Sequence, residues 1–269
     1  MFAILFTESR LSKIKEDIQL KYTRQFSLIT IVNKEPVYQE FKKNLDTQVN
    51  VDYELIKIDN SDNQFNSARA AYNDAAKKAS GEYLVFLHPD IRFLDENALS
   101  DILNEIKKLP NLGVAGIAGS PQKLVNNDRQ ILTTIVQGTD KESVGTLISK
   151  TEKVQTLDEC FFVVKHEWLD KHPFTECKGW HFYAVEQSLI ALLDHKDNYV
   201  VPARVWHTSA GASEDYRYVL IGRQMVKRYG EYFPSINTTV RKWDTKGIKA
   251  DINSSLYLVK RVITTYLRK

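Results

Sequence analysis

Short apolar runs alternate with segments of helical spacing between residues 26 and 120, and this alternation constrains the fold more than any other feature. The runs have strand length and are rich in β-branched and aromatic residues. They are Phe26–Val32, Tyr53–Ile58, Tyr83–Leu87 and Val114–Ala118. Apolar residues between the runs recur every three or four positions, as in Leu99, Ile102 and Ile106. This order predicts an α/β fold with a mostly parallel sheet and helices on both faces.

Charge is distributed unevenly along the 269 residues. From Tyr216 to Lys269 there are 12 Lys/Arg and 3 Asp/Glu, a net of +9, which leaves −6 for the rest of a chain whose total is +3. The segment after Tyr216 also has helical character. We therefore predict a main domain over residues 1–215 and a basic, mainly helical appendage over residues 216–269.

Several protein classes are disfavoured. Two cysteines cannot form a disulfide framework. No apolar run approaches the ~20 residues of a membrane span, and Glu8 and Arg10 interrupt the apolar start too early for a signal peptide. We expect a cytoplasmic protein without a nucleic-acid partner. Formation of a homo-oligomer is an open possibility.

Polar clusters follow the second and third predicted strands. Asp59 opens the first cluster, and His88-Pro89-Asp90 forms the second. Ligands of open α/β sheets bind at the carboxyl ends of strands. Both clusters should therefore share one crevice. The segment from Pro121 to Leu157 is less regular, and we expect it to supply strands that cross beneath a ligand.

Two neighbouring stretches, Asn66–Asn73 and Ala79–Asp90, resemble the donor half of family-2 (GT-A fold) glycosyltransferases. In that family an alanine-rich helix leads through a Gly-Glu-Tyr turn into a buried strand that ends in an acidic motif, usually Asp-x-Asp. His88-Pro89-Asp90 resembles the His-x-Asp variant of a bacterial glycosyltransferase-like subfamily. The resemblance covers roughly Phe26 to Gly211 and implies a nucleotide-sugar donor.

Asp90 is the predicted metal ligand on chemical grounds as well. Departure of a diphosphate builds negative charge that a divalent cation stabilises, and Mg²⁺ or Mn²⁺ accepts carboxylate and phosphate oxygens as ligands. His88 would face the ribose or the metal, and imidazole suits Mn²⁺ better than Mg²⁺. The alternatives are that Asp90 only turns the chain after Pro89 and that His88 is structural.

The resemblance further implies a nucleoside pocket. Val32 would meet the nucleoside, Asp59 would bind the base and Ser67 would complete the pocket. An Asx-turn at Asp59 and a helix N-cap at Ser67 are the competing interpretations. Asp158 corresponds to an acidic residue near the transferred sugar.

The stretch Gly179–Leu189 resembles the acceptor-side signature of the family, usually Glu-Asp-x-x-Leu. Glu186 falls on the Asp of that signature and Val185 replaces the preceding acid. Glu186 is thus the predicted general base, which must be ionised and within reach of the acceptor hydroxyl; a partly exposed helical Glu is the alternative. Trp180 and His181 are predicted acceptor-pocket residues, although Trp180 would also suit a core.

A third region, Val200–Gly211, resembles the segment that returns to the metal and diphosphate. His207 is its predicted metal ligand or phosphate donor, but a lone histidine is more often structural. Mn²⁺ or Mg²⁺ is the expected cofactor.

Together these features predict an inverting, metal-dependent transfer from a nucleotide sugar, with UDP favoured, to a hydroxyl of a glycan, lipid-linked or protein-glycan acceptor. A non-catalytic nucleotide- or carbohydrate-binding module is the main alternative. A nucleotidyltransferase is less favoured, because Asn33–Pro36 lacks the glycine of a phosphate loop.

The C-terminal residues form an amphipathic pattern. The apolar positions on one side of the predicted helix are Leu256, Val259, Ile263, Tyr266 and Leu267, with Lys260 and Arg261 beside them. Such a helix suits peripheral contact with an anionic membrane, at its inner face. Packing of the same apolar side on the main domain or on a second subunit is the competing prediction.

Overall fold

The computed structural model describes residues 21–209 and 214–267. The helices are α1 (Glu35–Leu45), α2 (Ala68–Ala76), α3 (Ala98–Lys108), α4 (His166–Lys171), α5 (Tyr183–Leu193), α6 (Tyr216–Tyr229) and α7 (Ile248–Leu267), with a 3₁₀ turn at Val125–Asn127. The strands are β1 (Arg24–Val32), β2 (Tyr53–Asp59), β3 (Gly81–Leu87), β4 (Ile91–Phe93), β5 (Leu112–Gly116), β6 (Ala118–Ser120), β7 (Leu132–Thr133), β8 (Ile135–Gln137), β9 (Thr146–Leu147), β10 (Glu152–Val154), β11 (Thr156–Leu157), β12 (Phe161–Lys165), β13 (Asp197–Val200), β14 (Val205–His207), β15 (Ser235–Asn237) and β16 (Lys242–Asp244).

The main sheet has seven strands in the order β10-β13-β5-β12-β3-β1-β2. β1 is parallel to both β2 and β3, and β13 is parallel to β5. β12 runs antiparallel between β3 and β5, and β10 is antiparallel to β13. The other five strands point the same way, so the predicted α/β fold with a mostly parallel sheet is confirmed.

Side chains of β1 alternate between two cores because successive residues of a strand face opposite sides of the sheet. Phe26 and Leu28 pack with α1 and α3 on one face. Ile29 packs with α2, α4 and α5 on the other. The helices therefore cover both faces, and β1 is buried between them.

The segment from Pro121 to Leu157 does form strands, but they are short, and all except β10, an edge strand of the main sheet, belong to smaller sheets. β6, β7, β9 and β11 make one of these. β14 is parallel to β8 and antiparallel to β4. Its register with β4 places His207 opposite Ile91. This pairing brings a residue from late in the chain beside the end of β3.

The C-terminal segment contains α6, a β15–β16 hairpin and α7. A third core cluster joins Phe182, Val185 and Leu189 around α5 to Tyr218 and Trp243. The segment thus packs directly on the acceptor-side helix predicted from the sequence. No described helix is both long and apolar enough to cross a bilayer.

One side of α7 remains uncovered. Tyr257 and Leu258 pack toward the third cluster, but the apolar residues of the opposite side are between 52% and 80% exposed. These residues, which we call the α7 stripe, are Ile248, Ile252, Leu256, Val259, Ile263, Tyr266 and Leu267. Within residues 21–209 and 214–267, the main domain therefore does not cover this side of α7, and packing on a second subunit stays a prediction.

Candidate active site

Three side chains that could hold a metal ion meet at the carboxyl end of β3. His88 and Asp90 follow the last residue of that strand, and His207 ends β14. The Thr208 N–H donates to the Asp90 carbonyl at 2.9 Å and holds these two segments together, while the His88 N–H donates to the Cys160 carbonyl beside β12, also at 2.9 Å. One ligand atom from each of His88, Asp90 and His207 lies within 4.8 Å of the others. We call these residues the HDH cluster.

The HDH cluster is electrostatically coupled. His207 Nε2 lies 3.2 Å from Asp90 Oδ1. Burial by itself would raise the pKa of Asp90, but His207 and His88 outweigh it and lower that pKa. Burial would lower the pKa of His207, and Asp90 instead raises it. Burial lowers the pKa of His88, which favours the neutral imidazole that a metal requires.

The residues of the HDH cluster fit a divalent cation. Asp90 Oδ1 is buried and makes no well-directed hydrogen bond to any described residue, so it is left for another ligand. Two imidazoles and one carboxylate form a mixed nitrogen and oxygen donor set, which suits Mn²⁺ better than Mg²⁺. His88 Nε2 also lies 3.2 Å from the Tyr183 hydroxyl.

Asp158 lies beside the HDH cluster, just before β12. Its two carboxylate oxygens accept hydrogen bonds from Cys160 N–H (3.0 Å) and Thr239 Oγ1 (2.5 Å). Burial would raise the pKa of Asp158, but these bonds lower it. Asp158 is therefore an ionised group held in place by the C-terminal segment.

A cavity of about 730 Å³ opens beside these residues. It is lined by Asp158 and His207 and, from the C-terminal segment, by Arg241, Tyr257 and Arg261. The Arg241 guanidinium lies 4.1 Å from the centre of the Tyr257 ring. Burial lowers the pKa of Arg241. The sequence analysis missed Arg241 and Thr239 as residues of the cavity lining. The basic excess after Tyr216 was the available signal for Arg241, and Thr239 has no such signal.

The predicted nucleoside residues lie at the ends of β1 and β2 and at the start of α2. Val32 is buried, and its carbonyl accepts a hydrogen bond from Asn60 N–H at 2.8 Å. Asp59 is exposed, and its Oδ1 accepts hydrogen bonds from the N–H and the hydroxyl of Ser61. These bonds form the Asx-turn that was the competing interpretation. The second carboxylate oxygen remains at the surface, so base binding by Asp59 stays a prediction.

Ser67 occupies the N-cap position of α2 but makes no capping bond. Its hydroxyl donates instead to the Cys177 carbonyl at 2.9 Å. Ser67 thus ties α2 to the loop before the acceptor-side helix, and its predicted contact with the nucleoside stays a prediction.

Glu186 is buried, with 2% of its side chain exposed. Its Oε2 lies 3.1 Å from Arg69 Nε and accepts a 2.7 Å bond from Thr175. Its Oε1 lies 2.6 Å from Arg228 Nη1 and 2.9 Å from the Tyr229 hydroxyl. A general base must present a free lone pair to an acceptor. The predicted base role does not fit this environment, and neither does the alternative of an exposed helical Glu.

His181 and Trp180 precede α5. Trp180 is 36% exposed, so its alternative as a core residue is wrong. His181 Nδ1 lies 3.6 Å from Glu159 Oε2, and its ring meets Tyr218 edge-on. Burial would lower the pKa of His181, but Glu159 raises it above its ordinary value. Glu159, which sequence reasoning did not single out, is therefore part of this region.

Comparison with known proteins gives one family match. The model of a family described as "Glycosyltransferase like family" matches residues 27–218, more than two thirds of the chain. A search of curated proteins finds no match.

The solved structures that are similar include the following two. TarS from S. aureus has 16% identity and a TM-score of 0.48, over 75% of this chain and 39% of that one. The mannosyltransferase PcManGT from Pyrobaculum calidifontis, in complex with GDP-Man and Mn²⁺, has 13% identity and a TM-score of 0.51, over 77% of this chain and 64% of that one. The chain spans less than two thirds of the length of either protein. The second likeness supports the shared GT-A fold.

Proposed function

Because this chain belongs to the glycosyltransferase-like family, we propose that it transfers a sugar from a nucleotide-sugar donor to a hydroxyl acceptor with inversion at the anomeric carbon. The observation that carries the proposal is the HDH cluster, which lies at the strand ends of the sheet beside a cavity of about 730 Å³. Ligands of α/β sheets bind at this edge, and a cavity of this size holds a small ligand.

Each side chain of the site has a place in this proposal. Asp90, His207 and His88 would hold a divalent cation, which neutralises the charge that develops on the departing diphosphate. Val32, Asp59 and Ser67 would receive the nucleoside, and Asp158 would face the transferred sugar. Residues 1–215 would form the catalytic domain, and residues 216–269 the appendage that closes the cavity with Arg241.

A donor screen tests the proposal. Purified protein is incubated with UDP- and GDP-sugars in Mn²⁺ or Mg²⁺, and release of the nucleoside diphosphate is measured. We expect turnover of one nucleotide class, with UDP-sugars favoured, greater activity in Mn²⁺, and loss of activity in excess EDTA. Tight donor binding without turnover in the presence of glycan acceptors would favour the non-catalytic module. Full turnover in EDTA would remove the metal role.

We further propose that the α7 stripe docks on an anionic membrane surface, where lipid-linked acceptors are available. The stripe runs along a 20-residue helix, and the segment that contains it has a strong excess of Lys/Arg. A helix with an apolar side and basic flanks lies in the plane of a bilayer, and each Lys/Arg near an anionic surface contributes about 1 kcal/mol.

Sedimentation with vesicles of phosphatidylserine and phosphatidylcholine tests this contact. We expect binding at low salt and release at high salt, because ions screen the charges. The stripe could instead cover a second copy of the chain. A concentration-dependent dimer in light scattering, together with no vesicle binding, would favour that occupant.

A further inference from the structure

We propose that His181, oriented by Glu159, accepts the proton of the attacking hydroxyl. This inference rests on the proposed transferase function and assigns to that reaction a general base that the sequence placed elsewhere. The geometry that carries it is a carboxylate–imidazole pair close to the HDH cluster, in which Glu159 adjoins Asp158, a residue of the cavity lining. We call His181 and Glu159 the dyad.

The two members of the dyad are partly exposed, at 19% and 18% of their side chains. Glu159 is fixed from one side, since its Oε1 accepts the Tyr183 N–H at 3.1 Å. Its Oε2 faces His181 Nδ1 at 3.6 Å. This arrangement favours the tautomer with a proton on Nδ1 and leaves Nε2 as the basic nitrogen. Within the described part of the chain, His181 Nε2 makes no hydrogen bond.

The dyad lies next to the HDH cluster. The Tyr183 hydroxyl lies 3.2 Å from His88 Nε2 and donates to the Glu159 carbonyl at 3.4 Å. Asp158, the residue before Glu159, lines the cavity together with His207. An acceptor in this cavity would therefore lie near both the HDH cluster and the dyad.

The proposed step is a single displacement. The acceptor O–H gives its proton to His181 Nε2 as its oxygen bonds to the anomeric carbon. The bond from that carbon to the diphosphate oxygen breaks, and its electron pair leaves with the nucleoside diphosphate. Glu159 stabilises the resulting imidazolium, as the carboxylate partner of a catalytic histidine does in hydrolases.

The charges around His181 are mostly negative. Glu159 faces the ring directly, and Glu214 and Asp215 act on it from the start of α6. Tyr218 contributes an uncharged ring edge. The cation on this side, Arg69, donates to the His181 carbonyl at 2.9 Å and is paired with Glu186. These groups raise the pKa of His181, so the transfer rate should fall as pH decreases through a value above 6.5, the ordinary value for histidine.

The test uses the full-length protein, Mn²⁺ and the nucleotide sugar that proves active in the donor screen, with water as the acceptor. His181→Gln removes the basic nitrogen but keeps the backbone carbonyl that Arg69 uses. Glu159→Gln keeps an oxygen for the Tyr183 N–H and removes the charge. His195→Asn is the matched control, because His195 is exposed and its left-handed backbone suits Asn.

We expect His181→Gln to lower kcat by about 10²-fold to 10⁴-fold and to leave the donor Kd, measured by calorimetry, unchanged. The fall in rate toward low pH, which is the acidic limb of the pH profile, should disappear in this variant. Glu159→Gln should shift that limb to lower pH, and His195→Asn should match the wild type. A His181→Gln variant with the wild-type limb, or with a raised donor Kd and unchanged kcat, would overturn the dyad alone. A wild-type protein that binds no nucleotide sugar would overturn the proposed function itself.

Discussion

Replacement of Glu186 by glutamine separates a structural carboxylate from a catalytic one. Arg69 is only 1% exposed, and Glu186 is its carboxylate partner. Removal of one member of a buried pair costs about 3–5 kcal/mol because the other charge is left uncompensated. Glutamine keeps one oxygen for Arg69, so we expect the lower end, about 3 kcal/mol. For a chain of this size that lowers Tm by roughly 6–12 °C.

Arg228→Gln provides the matched control for the same network. The Arg228 side chain is 44% exposed, so water screens its charge, and exposed pairs contribute about 0.2–1 kcal/mol. Its loss leaves Glu186 paired with Arg69. We therefore expect a Tm reduction of at most roughly 4 °C, well below that of Glu186→Gln.

Thermal denaturation followed by circular dichroism, with donor binding and kcat measured below Tm, distinguishes the two roles. We expect Glu186→Gln to melt early yet keep much of its kcat at low temperature. A variant that melts with the wild type, binds donor normally and loses 10²-fold or more in kcat would contradict a structural role for Glu186. It would return the base role to Glu186 and exclude the dyad.

Three further changes test other parts of the molecule. Asp90→Asn should weaken Mn²⁺ binding in calorimetry and lower donor affinity in Mn²⁺, because the buried Oδ1 loses its charge; unchanged Mn²⁺ affinity would contradict the HDH cluster as a metal site. Gly222→Ala should lower the free energy of urea unfolding by about 1–3 kcal/mol, since an added Cβ would lie 2.4 Å from the Trp243 ring; a neutral result would argue against this packing of α6. Leu256→Glu with Ile263→Glu should abolish vesicle binding without a change in Tm, because both residues are exposed; retained vesicle binding would exclude the α7 stripe as the membrane contact.

Much of the main sheet was predictable because strand identity is encoded locally. The run Phe26–Val32 lies within β1, and Tyr83–Leu87 lies within β3, since compact apolar runs between polar turns are buried strands. The predicted strand Val114–Ala118 is divided between β5 and β6. The antiparallel insertion of β12 between β3 and β5 was not predicted, because strand order depends on long-range pairing that no local pattern records.

The site was predictable in part for the same reason. His88 and Asp90 follow one strand, so a local motif located both. His207 joins them only because β14 pairs with β4. The dyad has no local signature at all, since Glu159 and His181 come from different segments and meet through a side-chain contact.

Local patterns were enough to predict the α/β class, the strand ends that carry polar residues and the amphipathic pattern of α7, because hydrophobic periodicity defines which residues share a face. The contacts that each face makes depend on how distant segments pack. This packing left the α7 stripe exposed, and it enclosed Glu186 with Arg69 and Arg228, which lie 117 and 42 residues away in the chain. The physical reason is that a carboxylate acts as a base or as a structural ion according to its burial and the charges beside it, and distant segments supply both.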